Sequence, residues 1–143
     1  MDYPLEAKET ISALEALRAQ YKIAITNDNP GDQIEEIKNQ IMAHRGYLVK
    51  WINAYGKQHS TSTAEVESRK SKAYKELIGD DSVTKSGRID HIRYMFKAED
   101  AELDLLKVLV DNMKRWDRLY QDMVINIQSS LSNIRTERRV EGI

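Results

Sequence analysis

Four cations and no carboxylate fall within SRKSKAYK, positions 68 to 75, of a 143-residue chain whose formal charge is only -1. Arg69, Lys70, Lys72 and Lys75 are groups that neutralise phosphates, and Tyr74 offers an aromatic face for a base. Single-stranded nucleic acid is held by that combination of cation track and stacking platform. The solvated face of a helix carries such a run equally well with no ligand. On a helical wheel starting at Val66, Ala73 and Leu77 share a line with Tyr74 and Ile78 beside it, so Lys72 and Lys75 point away from the packed side. Arg69 projects to the flank. Lys70 falls near the apolar line and is expected to turn its ammonium outward at an edge or a shared pore. Tyr55 is a second stacking candidate.

Nothing else in the chain composes a reactive constellation. His44, His59 and His91 lack partners at the i, i+3 or i, i+4 spacing of helical metal sites. The stretch EDAELD, residues 99 to 104, holds Glu99, Asp100, Glu102 and Asp104, but on a helix these fan around the axis and do not converge on a cation. Ser129, Ser130 and Ser132 have no base to activate them. There is no cysteine and no phosphate-cradling glycine loop. The expectation is a protein that is not an enzyme and uses neither metal nor cofactor.

The elements that position the basic run follow from periodicity. Charged residues at 31% and aromatics at 7%, with six glycines and two prolines, suit elongated helices better than sandwiches or barrels. Asp2 and Pro4 mark a helix start, and Ile11, Leu14, Leu17, Tyr21 and Ile25 repeat at helical spacing within an N-terminal helix, residues 1 to 27. Asp32 and Glu35 open a second helix, whose seam is Ile34, Ile37, Ile41, His44, Leu48, Trp51 and Tyr55. Gly46 in that helix is a candidate for a close crossing. GKQHSTST, residues 56 to 63, reads as a turn, and Ser62 with Glu65 as the capping box of a basic helix, residues 62 to 78. GDDSVTKSGR, residues 79 to 88, is a polar connector that reverses the chain.

Residues 88 to 139 then read as one long helix. From Ile89 to Ile134 a three-four ladder runs without glycine or proline, apolar except at Glu99 and Asp117. At 1.5 Å per residue it would span on the order of 70 Å, so it has to pair with other helices. Leu103, Leu106, Val110, Met113, Trp116, Tyr120, Val124, Ile127 and Leu131 are assigned to subunit assembly. A second apolar set, Leu105, Leu109, Trp116, Leu119 and Met123, widens that face in favour of bundles or oligomers. The expected fold is all-α, a long antiparallel hairpin or coiled coil with an N-terminal helix, assembling into a homo-oligomer; residues 28 to 143 form the hairpin. Formal charge alternates along the chain: -3 over residues 1 to 45, +4 over 46 to 75, -4 over 76 to 112 and +2 over 113 to 143. MDYPLEAKE has no apolar core flanked by positive charge, and no eighteen consecutive apolar residues occur. No membrane association is expected, and the location is expected to be cytoplasmic (host cytoplasm if phage-encoded).

The run YLVKWINAYGKQHS, the helix AEVESRKSKAYKEL, the GDDS break, the tryptophan of KRWDRLYQDM and the tail SSLSNIRTERR resemble, in that order, the UvsY recombination mediators of bacteriophages. The resemblance covers roughly residues 47 to 139. It implies a ring-like homo-oligomer that binds single-stranded DNA, loosens single-strand binding protein and helps load a RecA-like recombinase, making and breaking no bond. The family's DNA-contacting lysine falls on Lys75 and a neighbouring basic position on Lys70. The arginine that the family carries two residues further on is Leu77 here, and Lys72 and Arg69 are placed to supply the lost charge. Apart from the resemblance, the same features fit a phage coiled-coil adaptor, scaffold or inhibitor that binds another protein and no nucleic acid.

Overall fold

The computed structural model describes residues 4–80 and 82–142. Among them are four helices and no strand: α1 (Leu5–Ala24), α2 (Gly31–Ile78), α3 (Lys85–Met95) and α4 (Lys97–Glu141). They divide into two compact units. One is built from residues 53–111, the other from the described residues of 2–52 with 112–143, so α2 and α4 contribute to both.

The second unit is a three-helix bundle. Pro4 caps α1 from outside its first turn, with φ -54° and ψ 151°, and its carbonyl accepts from the Lys8 amide at 3.0 Å; Asp2 lies outside the described residues. The buried stripe of α1 is Ala7, Thr10, Leu14, Leu17 and Ala24, whereas Ile25 is the C-cap and is exposed. Asp32 lies inside the first turn of α2, not at its cap. Ile34, Ile37, Ile41 and Leu48 of α2 are buried there, as are Met113, Tyr120, Ile127 and Leu131 of α4. Arg135 reaches Glu35, Lys38 reaches Gln128 and Arg45 reaches Asp117, so α2 and α4 run antiparallel. Tyr120 donates to Glu15, and Tyr21 lies 3.4 Å from Ser130, so α1 runs parallel to α4.

In the unit of residues 53–111, the second stretch of α2 packs against α3 and the start of α4. Its core is small: Val66, Ile92 and Phe96 are buried, with Ala73, Tyr74, Leu77 and Leu103 packed against them. Thr84 caps α3 by accepting from the Gly87 amide at 3.0 Å.

Two boundary expectations are corrected. The turn expected at residues 56–63 is absent, because α2 continues from Gly31 to Ile78. Ser62 and Glu65 are therefore helix-interior residues and not a capping box. Turn-forming types are tolerated there because their hydroxyls fold back onto the preceding turn: Ser60 Oγ donates to the Gly56 carbonyl at 3.1 Å and Thr63 Oγ1 to the His59 carbonyl at 2.7 Å. The seam also keeps its phase through the segment, with His59, Ser62 and Val66 half-buried or buried at three-four spacing after Tyr55. A Cβ at Gly46 or Gly56 would meet nothing within 4 Å, so neither glycine marks a close crossing.

Conversely, the single helix expected over residues 88–139 is interrupted at Phe96, which has φ -104° and ψ 14°, the bridge region. The interruption spans one residue. The Phe96 amide still donates to the Ile92 carbonyl at 3.1 Å, and its carbonyl accepts from Asp100 at 2.9 Å. Phe96 is the chain's only phenylalanine, and its buried ring anchors the small core.

Candidate nucleic-acid interface

Arg69, Lys70, Lys72, Tyr74 and Lys75 all lie on α2 within the unit of residues 53–111. The wheel reading holds for the packed side, where Ala73, Tyr74 and Leu77 meet the core. Ile78, expected beside them, is 51% exposed. Lys72 and Lys75 are exposed, and among the described residues neither makes an ion pair.

The other two cations are engaged by the chain's own acids. Lys70 is half-buried and does not turn outward. Its ammonium donates to both oxygens of Asp100, at 2.7 and 2.9 Å, and lies 3.6 Å from Glu67. The hydrogen bond to Asp100 raises the Lys70 pKa above the ordinary lysine value against the opposing effect of burial, and the charges of Asp100 and Glu67 add to the rise. Arg69 lies 3.6 Å from Glu99 and holds its guanidinium 5.2 Å from the centre of the Phe96 ring. It lines a cleft of about 330 Å³ together with Glu65, Glu99 and Glu102.

Tyr74 is half-buried, with the Arg88 guanidinium 5.8 Å from its ring centre, so one face of the ring already has a cationic neighbour. Tyr55 is half-buried. Beside Tyr74 the α2 and α3 helices enclose a groove of about 510 Å³ lined by Lys70, Ser71, Tyr74, Lys75, Ile78, Ile89 and Ile92.

The residues assigned to assembly occupy the packed face of α4. Val110, Met113, Tyr120, Ile127 and Leu131 are buried within the single chain, and Leu103, Leu106, Trp116 and Val124 are half-buried. Of the flanking apolar set, Leu109 is buried and Leu105 and Leu119 are exposed. Sequence reasoning passed over the partners of the basic run. The carboxylates of EDAELD read from sequence only as a dispersed set that does not hold a cation, yet Glu99 and Asp100 bind an arginine and a lysine of α2. The signal was available in the ladder itself: its two polar exceptions, Glu99 and Asp117, each face an arginine of α2.

Among the described residues no group of three or more acidic or histidine side chains is arranged to hold a metal ion, and no helix is long and apolar enough to cross a membrane. Comparison with known proteins returns no matching family model, curated protein or solved structure.

Proposed function

We propose that this chain is a recombination mediator of the UvsY type, which binds single-stranded DNA through α2, displaces single-strand binding protein and helps load a RecA-like recombinase, without enzymatic chemistry. One observation carries the reading: Lys72 and Lys75 stand exposed on α2, with no carboxylate paired to them among the described residues. Two unpaired ammonium groups on this stretch of α2 form a weak phosphate site. Assembly of several chains multiplies it through effective concentration, and the apolar side chains that α4 leaves open, Leu105 and Val108 in one unit and Leu119 and Ile125 in the other, support such assembly.

A second reading, a coiled-coil adaptor, scaffold or inhibitor that binds protein alone, is favoured by the neutralisation of Arg69 and Lys70 by Glu99 and Asp100. The Lys72→Ala, Lys75→Ala double variant separates the two. Under the mediator reading it loses retention of a labelled poly-dT oligonucleotide at low salt while light scattering gives the parental mass. No retention by the parent chain, or retention unchanged in the variant, decides for the adaptor.

A further inference from the structure

The groove between α2 and α3 combines two properties that call for different parts of one ligand. Its apolar lining is Tyr74, Ile78, Ile89 and Ile92; Ile78 and Ile89 are left 51% and 44% exposed, while Ile92 is buried. Its volume of about 510 Å³ lies within the range of roughly 300–1,000 Å³ typical of small-molecule sites. Its walls contain two lysines in different states. Lys70 has committed its ammonium to Asp100 and leaves only its alkyl stem for the wall. Lys75 brings a charge with no carboxylate partner among the described residues. Another exposed cation, Lys85, lies one helical turn before Ile89 on α3.

We propose that this groove seats a nucleobase of the bound single strand, with the Lys75 ammonium holding an adjoining phosphate. The inference rests on the DNA-binding reading and sharpens it from a phosphate track to a site that also engages bases. An unpaired lysine beside an apolar floor selects an anion next to a flat, weakly solvated group. A nucleic acid strand presents that pair at every residue, whereas an alkyl chain presents no repeating anion. The groove is open, so the polar edges of the base stay hydrated while its faces cover Ile78 and Ile89. Binding of this kind is tolerant of sequence, because every base has faces to bury.

The test uses the full chain in low salt and two fluorescent strands of equal length, one poly-dT and one with the same phosphodiester backbone but abasic sugars. The parent is expected to hold the base-bearing strand about tenfold more tightly, the scale of burying on the order of 60 Å² of apolar base face. Ile89→Asn and, independently on α2, Ile78→Asn should bring poly-dT down to the abasic level and leave abasic binding unchanged; both positions are exposed, and circular dichroism checks each variant for parental helix content. A 2-aminopurine placed in the strand should change its emission on binding to the parent and not to either variant. Equal affinity of the parent for the two strands overturns the base site while leaving the phosphate reading standing. A base preference that survives both substitutions overturns it too, as expected if the groove instead takes an apolar side chain of another protein. Loss of both strands by the parent removes the DNA-binding reading together with this one.

Discussion

Asp117 and Glu99 are the two polar positions in the same apolar ladder, and each faces an arginine of α2, but in different units. In the bundle, Asp117 accepts from Arg45 Nε at 2.9 Å, with the two side chains 19% and 21% exposed. In the unit of residues 53–111, Glu99 stands 3.6 Å from Arg69, with the two side chains 33% and 61% exposed. The first pair is largely withdrawn from water, so removing one partner leaves the other poorly satisfied. The second remains wet, where screening and side-chain entropy cancel most of its Coulomb energy. One unit uses its polar exception for cohesion. The other leaves charge and apolar surface available for a ligand.

That contrast orders the expected effects of substitution. Tyr120→Ala removes a fully buried ring from the bundle and should cost about 3–5 kcal/mol in urea unfolding followed by circular dichroism. A cost below about 1 kcal/mol would show that the bundle core is not where stability resides. Asp117→Ala should cost about 1–3 kcal/mol by leaving Arg45 without its acceptor, whereas Glu99→Ala should cost less than about 1 kcal/mol. Equal losses would erase the distinction between the two pairs.

Alkaline pH probes the units through different groups. Burial, together with the hydrogen bond to Glu15, raises the Tyr120 pKa, so the folded chain keeps a proton that the unfolded chain releases near the ordinary tyrosine value of about 10. This contribution is complete below that value and is lost as pH rises above it, by at most ~1.4 kcal/mol per pH unit for one proton. Lys70 acts in the same direction, since its pKa is also raised. Thermal unfolding between roughly pH 9 and 11 should show a steep fall for the parent and a shallower one for Tyr120→Phe, with Lys70→Met making the smaller correction. A parental slope in Tyr120→Phe would remove the phenol from this account.

The smallest effect concerns binding. Asp100→Asn should release Lys70 from its stronger partner, raise oligonucleotide affinity a few-fold at low salt and steepen the salt dependence by up to about 0.7, the contribution of one further neutralised phosphate. An unchanged slope in a salt titration would mean that Lys70 is too withdrawn to meet the strand even when released.

The helical class and the packed faces were legible because three-four spacing reports burial directly: Met113, Tyr120, Ile127 and Leu131 are ladder positions and all are buried. The boundaries were less legible. Residues 56–63 carry turn-forming types, but their hydroxyls satisfy carbonyls of their own helix, and composition alone does not distinguish the two uses. The break at Phe96 has no glycine or proline to announce it. At the basic run, periodicity gave the exposed faces of Lys72 and Lys75. It could not give the capture of Lys70 by Asp100, thirty residues away, nor the Arg88 guanidinium beside Tyr74, because a one-dimensional pattern does not record which residues of a partner helix come opposite.

The bare turn of α2 at Gly46 has a dynamic consequence. Gly46 is exposed, with no side chain on the helix and nothing within 4 Å of where a Cβ would stand, so water reaches its peptide groups more readily than on the packed turns, and glycine gains more freedom than any other residue when a turn opens. Deuterium uptake along α2 should therefore run ahead around Gly46, as transient local melting within a helix that is otherwise continuous from Gly31 to Ile78.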